Sequence, residues 1–206
     1  MTFGTADRRK ADVAEGVALA VGHLASRRGN RLGLVTFGGS EPALAPPRHG
    51  RDGVLRLLEE LRREQSDRGL HEPSLEDAVR KTTKLARSRS LLVLVSDLRG
   101  RPLDRRWLAD AAGRHHVVAV EVRDPREQEL VDVGELWFVD PETGRQLRVD
   151  TSDRRLRERF AERAASERRA LSVELRRAGV DHVVLTTSGD WLRELASFLR
   201  RLGGRR

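Results

Sequence analysis

Cysteine and tyrosine are absent from this 206-residue chain, methionine occurs once, and there are only three tryptophans and five phenylalanines. Without cysteine there is no disulfide, no thiol nucleophile and no thiolate metal site. Scarce aromatics remove the platforms on which unpaired bases stack. No apolar run approaches the roughly 20 residues that cross a bilayer. The polar stretch Met1 to Lys10 does not read as a signal peptide. These absences fit a cytoplasmic protein. Lysine is rare too: it stands only at Lys10, Lys81 and Lys84, so arginine carries nearly all of the positive charge.

What is present is a soluble, globular composition, 38% hydrophobic and 35% charged. The length suits one domain, residues 1–202, followed by a frayed tail at 203–206. The net charge of +8 admits a nucleic-acid surface. However, the arginines alternate with glutamate and aspartate instead of forming blocks, which describes a solvated face better.

The most telling stretch is Leu91-Leu92-Val93-Leu94-Val95-Ser96-Asp97. Five apolar residues without alternation read as a strand covered on both faces, as in a parallel sheet between helices. Ligands of such sheets bind at the carboxyl ends of the strands. Asp97 stands at that end, as a cation ligand or a helix cap.

The rest of the chain alternates helix and strand. The spacing predicts a helix over Arg8 to Arg28, a strand over Leu32 to Phe37, and a short edge strand near Ala43 to Ala45. The latter sits in a loop between Gly38-Gly39 and Pro46-Pro47. Helices follow at Asp52 to Glu64 and after Ser74, where Asp77 makes a capping-box pattern. A helix over Leu103 to Ala112 and a strand over Val117 to Val122 come next. Leu136 to Val139 and Gln146 to Val149 flank Asp140-Pro141-Glu142-Thr143-Gly144 as a hairpin. The chain closes with a long helix from Asp153 to Ala178 stopped by Gly179, a strand at Val183 to Leu185, and a helix capped by Ser188. The pattern is α/β: an open, mostly parallel, doubly wound sheet with a β-hairpin insertion. It opens on a helix, where such sheets usually open on a strand.

Four segments in order resemble the bacterial von Willebrand factor A-like proteins of the domain-of-unknown-function family 58. They are Phe3-Gly4-Thr5 with Arg9-Lys10-Ala11-Asp12-Val13-Ala14; Gly29 to Phe37; Leu91 to Asp97; and Val122 to Asp153 with its RDPRE, VDPETGRQLRVD and TSD runs. The resemblance implies a Mg²⁺ adhesion site at the top of the sheet. There an Asp-x-Ser-x-Ser motif, a hydroxyl from a second loop and a later Asp hold the ion, and a partner's carboxylate completes the shell. Asp97 matches the later Asp. Ser74 answers to the hydroxyl, one place late, with Pro73 in the ligand position; it reads equally as an N-cap. The Asp-x-Ser-x-Ser motif is not in the sequence, and Met1 falls where the family has an internal methionine. The chain is thus expected to lack the family's first, central strand, leaving an incomplete metal site. The expected consequence is an insoluble, poorly cooperative or rearranged chain, the last with Leu32–Phe37 and Leu91–Val95 paired directly.

The resemblance implies a non-enzymatic interaction module, an adaptor or chaperone-like partner of a MoxR-type AAA+ ATPase. Two alternatives stand beside it. A metal-dependent phosphohydrolase would use Asp97 and Asp124, although Asp124-Pro125 also reads as a turn. A basic nucleic-acid-binding domain rests on charge alone. His115-His116 reads as a solvated strand start at the far end from Asp97. No GxxxxGK[ST] or GxGxxG loop occurs.

Overall fold

The computed structural model describes residues 8–37, 44–64, 74–99, 105–127, 129–139 and 146–204. The expectations for Phe3-Gly4-Thr5, the Gly38-Gly39 turn, Pro73, Leu103, the Asp140–Gly144 turn and the last two tail residues lie outside them.

Three parallel strands form the centre: β3 (Leu91–Ser96), β4 (His116–Arg123) and β7 (Asp181–Thr186), in the order β3-β4-β7. Val93 pairs with Val118, and Val118 with Asp181, so all three strands end at one rim. β4 is buried continuously from Val117 to Val122, because helices cover both of its faces. One face packs Val117 and Ala119 against α3 (Leu75–Leu85), α4 (Arg105–Arg114) and α5 (Arg154–Arg177), through Val79, Trp107, Leu108 and Leu175. The other packs Val118, Val120 and Val122 against α1 (Lys10–Arg27) and α6 (Trp191–Gly203), through Val13, Val17, Leu195 and Phe198. This is the open α/β sheet that the sequence pattern predicts. α1 and α6 approach closely: a Cβ on Gly16 would lie 2.6 Å from the Trp191 ring, so a larger residue there would have to displace that ring.

Two outlying pairs complete the fold. β1 (Arg31–Val35) runs antiparallel to β2 (Leu44–His49), with α2 (Gly50–Glu64) packed against α1 and this pair. β2 contains Pro46 and Pro47, which a strand tolerates only at an edge. β5 (Glu135–Val139) and β6 (Gln146–Asp150) form the expected antiparallel hairpin. Its base is fixed by Thr151, which donates from both its N–H and its hydroxyl to the Gly134 carbonyl.

Direct pairing between the Leu32–Phe37 region and Leu91–Val95 does not occur. β1 takes β2 instead, a neighbour delivered by the local chain, and the outer edge of β3 has no strand partner among the described residues. The last helix is capped by Asp190, which accepts from Arg193 N at 3.0 Å, and not by Ser188. The cap must immediately precede the first helical residue, here Trp191. His115 is not solvated: it is buried, with Nδ1 unpartnered, while His116 bonds Asp181 at 2.8 Å. Along α5 the arginines pair with glutamates one turn on, Arg154 with Glu158 and Arg163 with Glu167, as a solvated face should.

Candidate functional site

Asp97 follows the last residue of β3 and so sits on the rim where the three strands end. The turn it opens is strained. Leu98 has φ +50°, a left-handed conformation that costs a branched side chain about 1–3 kcal/mol. Ser96 Oγ steadies the turn by accepting from Leu98 N at 3.1 Å.

The Lys10 ammonium reaches the same point from α1. It donates to Asp97 Oδ2 at 2.8 Å and to Glu127 Oε1 at 2.7 Å. Its side chain is only 3% exposed. Lys10 is the first residue of α1, where the helix dipole disfavours a positive charge. The two carboxylates, not the helix, hold it there. Burial pushes the Asp97 carboxyl up, but the hydrogen bond and charge of Lys10, with the Arg99 N–H, outweigh it and hold the group below its ordinary value.

Glu127 is placed by a turn built on Asp124. Asp124 Oδ1 accepts from Arg126 N at 2.9 Å, its carbonyl accepts from Glu127 N at 3.1 Å, and its Oδ2 accepts from Thr187 Oγ1 at 2.8 Å. The turn after β4 is thereby fastened to the end of β7. Asp124 has no exposed surface and both of its oxygens are answered, so it acts as the turn residue that Asp-Pro suggests. Glu127 ends the short 3-10 turn Pro125–Glu127, with a side chain 9% exposed. Its Oε1 meets Lys10 and, at 3.6 Å, Arg99; its Oε2 is buried without a hydrogen-bond partner.

Ser74 is used elsewhere. Its hydroxyl accepts from Asp77 N at 3.1 Å and donates to Asp77 Oδ2 at 2.7 Å, closing the cap of α3. Of the two expected ligands, the structure sets Asp97 in a charged cluster and Ser74 in a helix cap. Lys10 and Glu127 are the members that sequence reasoning missed. The available sign was Lys10 itself, one of three lysines, at a helix start that disfavours it.

The rim arises from three segments far apart in sequence, and the chain can be aligned over nearly its whole length with one of its relatives. It is 35% identical over 208 aligned positions to the uncharacterized protein Rv1480 of Mycobacterium tuberculosis, covering 98% of this chain and 64% of that protein. It is 38% identical over 114 positions to the uncharacterized protein MAV169 of Mycobacterium avium, covering 55% of this chain and 67% of that one. The chain thus spans a little under two thirds of Rv1480. Among solved structures it is similar to the conserved hypothetical protein BatB from Bacteroides thetaiotaomicron, with a TM-score of 0.56 at 12% identity, over 94% of this chain and 88% of that one. That likeness concerns the fold. The family model described as "Protein of unknown function DUF58" matches residues 1–170, and the chain belongs to that family.

Proposed function

We propose that this chain is a non-enzymatic interaction module of the von Willebrand factor A-like kind that docks a protein partner on the rim around Asp97. The partner we propose is a MoxR-type AAA+ ATPase or its client, which the chain would serve as an adaptor. One observation carries the reading. A strained turn, a buried lysine and a half-answered carboxylate converge at the carboxyl end of a parallel sheet, where such folds place their ligands. Local rules broken together at one place mark a working site more often than a packing accident.

The Mg²⁺ ion implied by the family resemblance does not fit the residues described. Asp97 Oδ2 is engaged by the Lys10 ammonium at 2.8 Å. The Ser74 hydroxyl closes a helix cap. Among the described residues no three His, Cys, Asp or Glu side chains converge. Docking is therefore assigned to the charge of the rim, with Arg99, about half exposed, as one accessible cation.

The test is binding of the full chain to a MoxR-type ATPase from the same organism, with ATP present. Arg99→Ala is expected to weaken association about tenfold, while Arg163→Ala on the distant α5 leaves it unchanged. No association, or equal affinity for both variants, would overturn the reading.

A further inference from the structure

We infer that the Lys10 ammonium is a built-in replacement for a divalent cation: it occupies the point between Asp97 and Glu127 that such an ion would take, and it excludes metal while in place. The inference goes beyond the docking role and does not require the ATPase partner; it borrows only the location of the rim.

The geometry comes first. Asp97 Oδ2 and Glu127 Oε1 lie 2.8 and 2.7 Å from one nitrogen. Two carboxylate oxygens converging on one point within 3 Å, from separate segments, is how a cation is held. A small inward movement brings oxygens from hydrogen-bonding distance to the 2.0–2.6 Å typical of Mg²⁺ and Ca²⁺ ligands. Lysine carries its charge on one compact nitrogen with three N–H donors, so it stands in for a metal ion more closely than a planar guanidinium does.

The two carboxylates call for two positive charges. Lys10 supplies one from within, and Arg99, 52% exposed, supplies the other from 3.6 Å. A single divalent ion would supply both.

Glu127 also holds a spare ligand atom. Glu127 Oε2 is buried and accepts nothing, although a buried acceptor without a partner is expensive. The Lys10 ammonium, shared between Asp97 Oδ2 and Glu127 Oε1, makes no hydrogen bond to that oxygen. A metal ion bound by both oxygens of Glu127 would use it. A purely structural ion pair has no need of such a reserve. The network at Glu121 shows this, because there both carboxylate oxygens are taken.

The experiment titrates Mn²⁺ into the full chain and follows free Mn²⁺ by electron paramagnetic resonance, with thermal melting in parallel. The wild type is expected to take up no Mn²⁺ below about 1 mM. Lys10→Ala is expected to bind one ion at least tenfold more tightly and to melt higher in Mn²⁺ than in NaCl of equal ionic strength. Adding Glu127→Gln to Lys10→Ala should abolish both gains. Should Lys10→Ala melt too low to titrate, Lys10→Gln, which keeps a neutral donor, replaces it under the same criteria. Tight Mn²⁺ binding by the wild type, or no gain in either Lys10 variant, overturns the inference. Neither result depends on whether an ATPase binds.

Discussion

On the α3–α4–α5 face of the sheet, Glu121 is held by Arg123 and His182; at the rim, Asp97 and Glu127 are held by Lys10. Both networks are buried, and both keep an acid below its ordinary value. For Glu121, burial raises the carboxyl, and the hydrogen bonds of His182 and Arg123 outweigh it. The difference lies in completeness. Arg123 donates to Oε1 at 2.5 Å and to Oε2 at 2.7 Å, and His182 Nε2 lies 2.9 Å from Oε2. Strand geometry supplies these partners: Arg123 is two residues along β4 on the same face, and His182 lies on the paired strand β7. The rim gathers residues 87 and 117 positions apart in sequence, places a strained turn beside them and leaves one oxygen unanswered. The Glu121 network answers both of its carboxylate oxygens. The rim leaves Glu127 Oε2 open beside strained backbone, the contrast on which the roles proposed above rest.

The largest expected effect separates the two acids directly. Glu121→Ala removes the buried acid that holds the partly buried Arg123 and His182 and should cost about 3–5 kcal/mol, whereas Glu127→Gln, which keeps a neutral acceptor for Lys10 and leaves the Lys10–Asp97 pair in place, should cost less, about 1–2 kcal/mol. Urea unfolding measures both, and equal losses would erase the distinction.

Acid provides the next test. The native carboxyls of Asp97 and Glu121 lie below their ordinary values of 3.8 and 4.5, so the unfolded chain binds more protons in this range. Their contribution is complete above the unfolded values and is lost as pH falls through the native ones. Melting temperature should hold from pH 7 to about 5.5 and drop below about 4.5. Asp97→Asn should remove only the rim's share of that drop. A variant with an unaltered acid profile would show that the rim pair adds nothing to native stability.

The smallest effect is expected outside both networks. Arg163, whose side chain is 83% exposed, pairs with Glu167 on α5. Arg163→Ala should change stability by no more than about 0.5 kcal/mol. A larger loss in thermal melts would mean that solvated pairs in this arginine-rich chain carry as much weight as buried ones.

Much of the scaffold was legible because its rules are local. The unbroken run Leu91–Val95 gave a doubly covered strand, Ser74 with Asp77 gave a cap, Gly179 gave a helix stop, and paired runs on either side of Asp140–Gly144 gave a hairpin. Asp97 was legible as a rim residue for the same reason. Lys10 and Glu127 were not, because nothing in their neighbourhoods points to a residue some hundred positions away. Glu121 carried an unread sign: a charge inside the otherwise apolar run Val117 to Val122, which the core admits only with partners. Ser188 was misplaced by two residues because Gly189, with φ +88°, turns the chain before the helix begins and leaves Asp190 at the cap.

The order of residues along the chain thus settled the alternation of helix and strand, the parallel class of the sheet and the end of the sheet on which Asp97 stands, since periodicity and caps act over a few residues. Tertiary structure alone decided that β1 takes β2 and not β3, that the Asp124 turn is tied to Thr187 at the end of β7, and that Lys10 enters the space between Asp97 and Glu127. Contacts of that kind are fixed by packing and by the cost of burying charge, and both are felt only once distant segments meet.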